Sequence, residues 1–490
     1  MRFWCTRPAL HHDLNISMSI MTLAIVFYII IACLLFLQKW RQSQIIDVLP
    51  SLAWIFLMVL PFIGQKSSFD PIHTNTQAFG ILLFGFAFLI SDYLSGKRVH
   101  KVPLFLDEHT IIYVGYGLFT LTLGVQLCHL IMMPKIPLFD WVIGEANNPS
   151  TYAEMREHSS KLLRVPIWVQ HAFQLSIVFI SPLALVIFLN YRKYLLLFVL
   201  ISTTLFYSYA TLARWPITLF LAICIIVFFH SLPRRSRYRL GIALSILVMS
   251  IFIYAGHFLF SHPASVLNYR LSLDSFDPQR TVSPALSNEP MMRNPFTQPF
   301  TITDHHRRLG IDLNESAGSL GRAINYFVYR AVLTPVDVSH RWYIYYPDIH
   351  GSYVGFYGLT PSSRNNEKFQ HPSNQVCLWA YASRFPDKYL PSCHAYASID
   401  ADAWARGGYL GLITVSLLLL IFRLMAGYFR LEGQMGDSIY VAFLVVFSFS
   451  LPIASIQALM QSQGTLYYWF ILIAFLIYDR SRNHWTQKEI

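Results

Sequence analysis

Charge is scarce in this chain. Asp, Glu, Lys and Arg make up 13% of its 490 residues, against about a quarter in a soluble domain. With 54% of the residues hydrophobic and a mean hydropathy of +0.44, that shortage excludes an ordinary soluble protein. The usual count of residues per soluble domain therefore does not apply. No internal repeat, low-complexity tract or heptad pattern is visible, which argues against a solenoid or a coiled coil. No Cys/His group has zinc-ligand spacing. His305 and His306 are adjacent, which suits neither one helix face nor a finger. No small-residue cleavage site follows the first apolar run, so no cleavable signal peptide is expected. The net charge of +11 does not mark a nucleic-acid binder, because the basic residues lie in short clusters between apolar stretches.

What the chain has in abundance is apolar runs of membrane-spanning length. Eleven are expected: 18–38, 46–64, 76–95, 111–133, 167–190, 194–212, 215–232, 240–260, 408–427, 438–460 and 464–479. Lys and Arg cluster after the odd-numbered runs, as at Lys39/Arg41, Lys97/Arg98, Arg192/Lys193, Arg234/Arg235, Arg423/Arg430 and Arg480/Arg482. The short loops of the opposite side hold only Lys66 and Arg214. By the positive-inside rule the C-terminus is cytoplasmic and the N-terminus outside, although Arg2 and Arg7 run against the latter. The expected fold is an all-α polytopic membrane protein of about 11 transmembrane helices with one large and one small outer loop. It divides into helices 1–4 over 1–133, the small loop over 134–166 and helices 5–8 over 167–260. The large loop over 261–407 follows, then helices 9–11 with a cytoplasmic tail over 408–490. Chemistry built in loops is then extracytoplasmic.

The large loop holds Cys377 and Cys393, the only cysteine pair in an outer loop. In an oxidising compartment they suit a disulfide, worth about 3 kcal/mol in the chain-entropy model; two free thiols are the alternative. Apolar residues at helical spacing predict a helix over 315–335, ended by Pro335, with Arg322, Tyr326, Tyr329 and Arg330 on its other face. Next, Trp342, Tyr343, Tyr345 and Tyr346 form an aromatic cluster framed by Asp337, Arg341 and Asp348. It reads either as an interfacial belt or as a platform whose ring faces stack on sugars. In the small loop a helix is expected from 150 to 163. Arg156, Lys161 and Arg164 there run against the inside bias and suit either a bound anion or a solvated face. Arg214, in the tight turn between runs 6 and 7, suits phosphate or snorkels to the surface.

The stretch 398–411, SIDADAWARGGYLG, sets Asp400, Asp402 and Arg406 before the ninth run. If it is helical, Asp402 and Arg406 are i,i+4 on one face. They are then either a plain anchoring ion pair or part of a site.

Together these features resemble bacterial O-antigen polymerases (Wzy-type oligosaccharide repeat-unit polymerases). The stretches most alike are REHSSKLLRVP (156–166), TLARWP (211–216), RAVLTPVDVSHRWYIYYPD (330–348) and DADAWARGGYLG (400–411). The chain departs from the Arg-X10-Gly pattern of some members, since Gly351 follows Arg341 one residue too early. The resemblance implies a GT-C-like glycosyltransferase of the bacterial inner membrane, acting at the periplasmic face. Its substrate would be undecaprenyl-diphosphate-linked oligosaccharide. No nucleotide sugar, cofactor or metal is implied, and no nucleic acid. The bilayer, a chain-length regulator and a flippase are the implied partners. Arg156, Arg164, Arg214, Arg330 and Arg341 would grip the anionic lipid-linked substrates, with Lys161, Arg406, Trp342 and Tyr343 as further candidate contacts. Displacing a diphosphate from an anomeric carbon calls for preorganised cations and a base for the acceptor hydroxyl. Asp402 is the candidate base or sugar ligand, with Asp337 and His340 as rivals. An O-antigen ligase, a lipid-linked oligosaccharide flippase and a non-catalytic scaffold are the competing readings.

Overall fold

A computed structural model describes residues 8–42, 44–65, 71–95, 99–103, 106–133, 136, 172–211, 214–231, 334–355, 372–381 and 395–486. These residues are mostly helical. The helices are α1 (Pro8–Arg41), α2 (Ile45–Gln65), α3 (Pro71–Leu94), α4 (Glu108–Met132), α5 (Ala172–Asn190), α6 (Tyr194–Ala210), α7 (Arg214–Ser231), α8 (Thr334–Ile344), α9 (Pro372–Tyr381), α10 (Ile399–Tyr428), α11 (Gly433–Ser450) and α12 (Thr465–Thr486). Two short strands, β1 (His100–Val102) and β2 (Phe429–Leu431), pair in parallel, so a small sheet is added to the helical fold.

Among the described residues six helices are long and apolar enough to cross a membrane: α2, α3, α4, α5, α10 and the part of α1 from Met21 to Arg41. Their surfaces fit that role. On α1, Phe27, Ile30, Leu34 and Leu37 are exposed while Tyr28, Ala32 and Leu35 are buried. An exposed apolar stripe of that length is unstable in water and matches lipid. The protein is membrane-embedded.

Several helix irregularities trace to proline. In α2 a π-turn at Ile55–Val59 lies just before Pro61, and in α5 one at Ser176–Ile180 lies just before Pro182. A proline ring clashes with the preceding turn and removes an N–H, and a π-turn absorbs the mismatch. In α5 the Ser181 hydroxyl takes up the Ser176 carbonyl at 2.5 Å. Elsewhere Asp107 caps α4, accepting from the Thr110 N–H at 3.1 Å and its hydroxyl at 2.5 Å. Those bonds hold the Asp107 carboxyl below its ordinary value.

Proline also corrects two boundaries. Pro335 was expected to end a helix, yet it sits in the first turn of α8, where its missing N–H is not needed. The run 438–460 is broken: α11 ends at Ser450, Pro452 follows, and a short π-turn at Ala458–Ser462 takes up the end of the run. The expected large loop ends earlier than 407, because α10 begins at Ile399. The run 240–260, residues 315–333 of the helix expected over 315–335, the helix expected over 150–163, and most of the small loop lie outside the described residues.

The chain forms two compact units. In the first, α2 and α3 run antiparallel, with Trp54 Nε1 donating to the Ile81 carbonyl at 2.9 Å and Ser51 donating to Asp92. Trp54, Phe84 and Phe88 pack ring on ring in its core. Phe79 near the start of α3 meets Tyr409 of α10 at 5.6 Å. In the second unit α4 and α6 run parallel, joined by Gln126–Thr204 and His129–Tyr207 contacts at 3.4 and 2.6 Å. α5 runs antiparallel to α4: Gly115 faces Ile187 while His129 stacks on Phe173. The β1–β2 pair joins the segments that follow α3 and α10.

Candidate functional site

The described candidate residues other than Arg214, which lies in the second unit, belong to the first unit, where the start of α10 meets α8 and the start of α3. α10 is two helices. Gly407 and Gly408 depart from helical backbone, and Gly408 has φ 58°, ψ −135°, a conformation open essentially to glycine alone. A Cβ on Gly408 would also lie 2.6 Å from the Tyr353 hydroxyl. The break leaves the last carbonyls of the 399–406 piece without helical partners. The segment 351–355 supplies them: Val354 N–H donates to the Ala405 carbonyl at 2.8 Å and Gly355 N–H to that of Arg406 at 2.9 Å. At the other end, Ile399 N–H donates to the Leu451 carbonyl at 2.9 Å. Irregular backbone at membrane level is tolerated where protein satisfies it, and residues 351–355 and 451–456 do so here.

Asp402 and Arg406 form the i,i+4 pair that their spacing allows. Arg406 donates through Nε at 3.0 Å and Nη2 at 3.3 Å, one to each carboxylate oxygen. Asp402 also accepts the Ile456 N–H at 3.1 Å, and Arg406 Nη1 reaches the Gly355 carbonyl at 3.3 Å. The residues are 2% and 5% exposed. A buried pair of this kind differs from a surface anchor, because removing either partner strands a charge in low dielectric. Both oxygens of Asp402 are occupied, which suits a positioning role better than that of a base.

Asp400 is more enclosed still. Its oxygens accept from the Ser398 hydroxyl and, at 3.0 Å, from the Tyr343 hydroxyl. Ser398 N–H donates to Ser339 Oγ at 3.1 Å, and Ser339 donates to the Pro335 carbonyl at 2.6 Å. This network ties α8 to α10. Burial, then the charge of Asp400, holds the Tyr343 hydroxyl well above its ordinary value, so it remains a donor.

The aromatic cluster takes a different form from either expectation. Trp342, Tyr343 and Tyr346 are fully buried. Trp342 Nε1 donates to the Ala395 carbonyl at 2.9 Å, and Tyr346 donates to Gln375 Oε1 at 2.6 Å. Tyr343 stacks on Trp404 at 5.4 Å. Neither Trp342 nor Tyr343 presents a free face to a sugar or to the interface, because their polar tips find partners inside the protein. The accessible rings are Tyr353 and Tyr409, which meet Trp404 edge-on at 5.6 and 5.3 Å, beside the glycine break.

His340 is buried, with Nδ1 2.9 Å from Gln77 Oε1. Asp337 pairs with Arg341 at 3.4 Å, one turn along α8. Sequence reasoning missed a further pair: His73 Nε2 lies 2.9 Å from Asp348 Oδ2. No local signal joins residues 275 apart. Arg214 opens α7. Arg156, Lys161, Arg164 and Arg330 lie outside the described residues. Cys377 is disulfide-bonded, and Cys393, its expected partner, lies outside the described residues. Among the described residues no group of three or more His, Cys, Asp or Glu converges to hold a metal ion. Compared with protein-family models, with curated proteins and with solved structures, the chain matches none.

Proposed function

We propose that the protein is a membrane glycosyltransferase that joins lipid-diphosphate-linked oligosaccharide units at the outer face of the inner membrane. The observation that carries this reading is the break in α10: a buried Asp402–Arg406 pair beside two exposed tyrosine rings, at the mouth of a membrane-spanning helix. Ring faces such as those of Tyr353 and Tyr409 stack on pyranose rings, and a lipid diphosphate presents its sugar at that level. Asp402 holds Arg406 rigid, and Arg406 fixes the 351–355 segment that carries Tyr353. Of the cations proposed from sequence, Arg341 belongs to the same unit as this break and is the one proposed to grip the diphosphate. No cofactor is required, since leaving-group charge is stabilised by preorganised guanidinium groups.

The finer topology belongs to the same proposal: eleven spans, a GT-C-like arrangement, N-terminus outside and C-terminus in the cytoplasm. Parity supports the count. α3 and α10 point the same way, with Phe79 beside Tyr409 at their starts and β1 beside β2 after their ends. The chain must then cross an odd number of times between them. α4 to α7 supply four crossings, and the apolar run 240–260 would supply the fifth.

A broken helix also occurs in transporters, where half-helix ends line a substrate site, so a lipid-linked oligosaccharide flippase is the second reading. Reconstitution of the purified protein in proteoliposomes separates the two. With lipid-linked repeat units extracted from a deletion strain, the enzyme makes a ladder of multiples. A flippase moves single units across the bilayer and leaves their length unchanged.

A further inference from the structure

We infer that Asp348 is a sugar-binding carboxylate, which accepts the hydroxyls of a neutral pyranose while the ring of Tyr353 stacks on that sugar. The inference takes its ligand, the oligosaccharide, from the glycosyl-transfer reading and adds the subsite that holds it. Such a subsite needs an accessible ring face and, at its rim, a polar group that takes hydroxyl protons. The carboxylates at the start of α10 do not offer that group. Asp402 accepts three hydrogen bonds, from Arg406 Nε, Arg406 Nη2 and the Ile456 N–H. Asp400 is fully buried under Ser398 and Tyr343.

Asp348 differs in being reachable, with its side chain 56% exposed in the turn that follows α8. A carboxylate has about four acceptor sites. One takes the His73 imidazole, whose Nε2 lies 2.9 Å from Oδ2. Since a carboxylate only accepts, that nitrogen is the donor. The contact ties the turn to the first turn of α3 and so aims the carboxylate. The acceptor sites that remain suit two neighbouring hydroxyls of one sugar ring.

The ring stands beside it. Tyr353 meets Trp404 at 5.6 Å and 88°, and Tyr409 meets it at 5.3 Å and 86°. Tyr343, by contrast, stacks on Trp404 at 5.4 Å and is fully buried. Perpendicular contacts do not press two rings face to face, and Tyr353 and Tyr409 stay 39% and 54% exposed. Burial raises the Tyr353 hydroxyl above its ordinary value, and the charge of Asp348 and then Tyr409 add to it, so both lie within electrostatic reach of Tyr353. A carboxylate on the sugar would meet the charge of Asp348, and like charges repel. The sugar at this point is therefore neutral. As a structural feature alone an exposed pair such as His73–Asp348 contributes little.

The test uses full-length protein in proteoliposomes. The binding probe is the oligosaccharide freed by mild acid from lipid-linked repeat units of a deletion strain. Binding is followed by tryptophan fluorescence, since Trp404 touches both tyrosines, and chain extension is followed on the intact lipid-linked units. Asp348→Asn keeps the size of the side chain but loses the charge-assisted hydrogen bonds. It is expected to weaken binding and raise KM by about 10- to 100-fold, with kcat and the unfolding midpoint as in wild type. Tyr353→Ala weakens binding as well, and Tyr353→Phe, which keeps the ring, does not. Wild-type affinity in Asp348→Asn, or no binding of the freed oligosaccharide by wild type, overturns the subsite. Tighter binding by Asp348→Asn marks an acidic sugar at this point and overturns it too. Binding by wild type without chain extension overturns the transfer reading and leaves the subsite standing.

Discussion

Replacing Asp402 with Ala tests whether the α10 pair is a buried device or a surface anchor. The substitution strands the Arg406 guanidinium, which is 5% exposed, and removes the acceptor of the Ile456 N–H. Breaking a buried pair in this way costs about 3–5 kcal/mol, and an unsatisfied buried N–H adds about 1–3 kcal/mol. An exposed i,i+4 pair would contribute only about 0.3–0.5 kcal/mol. The expected loss of at least 3 kcal/mol is about two orders of magnitude in the folding equilibrium. The assay is an SDS unfolding titration followed by tryptophan fluorescence, run as a double-mutant cycle with Arg406→Ala. The double variant is expected to be less destabilised than the sum of the singles, because removing both charges leaves neither stranded. Single-variant losses below about 1 kcal/mol, with additive behaviour in the double, would refute the reasoning.

Three further outcomes are expected. Gly408→Ala costs about 1–3 kcal/mol from its backbone conformation, and Gly408→Ala/Tyr353→Ala recovers only the steric part, both read by the same titration. Tyr343→Phe leaves Asp400 short of one buried donor and costs about 1.5–3 kcal/mol, measured as a lowered unfolding midpoint. Asp107→Ala removes the cap of α4. Because the folded Asp107 carboxyl is held below its ordinary value, its contribution is complete above the ordinary carboxylate range and is lost as pH falls through the depressed value. Unfolding curves of wild type and variant should therefore converge in acid and separate toward neutral pH.

Six of the eleven apolar runs fall on helices long and apolar enough to cross a membrane, and four more are helical at least in part, because hydropathy over 20 residues is a local property that lipid enforces. Irregularities were less legible. Pro335 reads as a stop or a start depending on which side the helix forms, and only tertiary packing decides it. The Asp402–Arg406 pair was visible as a spacing, yet its burial was not, since burial depends on residues 351–355 and 451–456 far along the chain. The same holds for the aromatic cluster. Trp342 and Tyr343 carry the composition of a sugar platform, but Ala395 and Asp400 claim their polar tips and turn them inward. The exposed rings, Tyr353 and Tyr409, flank the cluster without standing out from it. His73–Asp348 joins elements 275 residues apart, a pairing that no local pattern encodes.

The most direct measurement is the lipopolysaccharide profile of a host strain deleted for this gene and complemented at matched expression with wild type. The account predicts a single-repeat band in the deletion strain and a full ladder with wild type. A normal ladder in the deletion strain would contradict it.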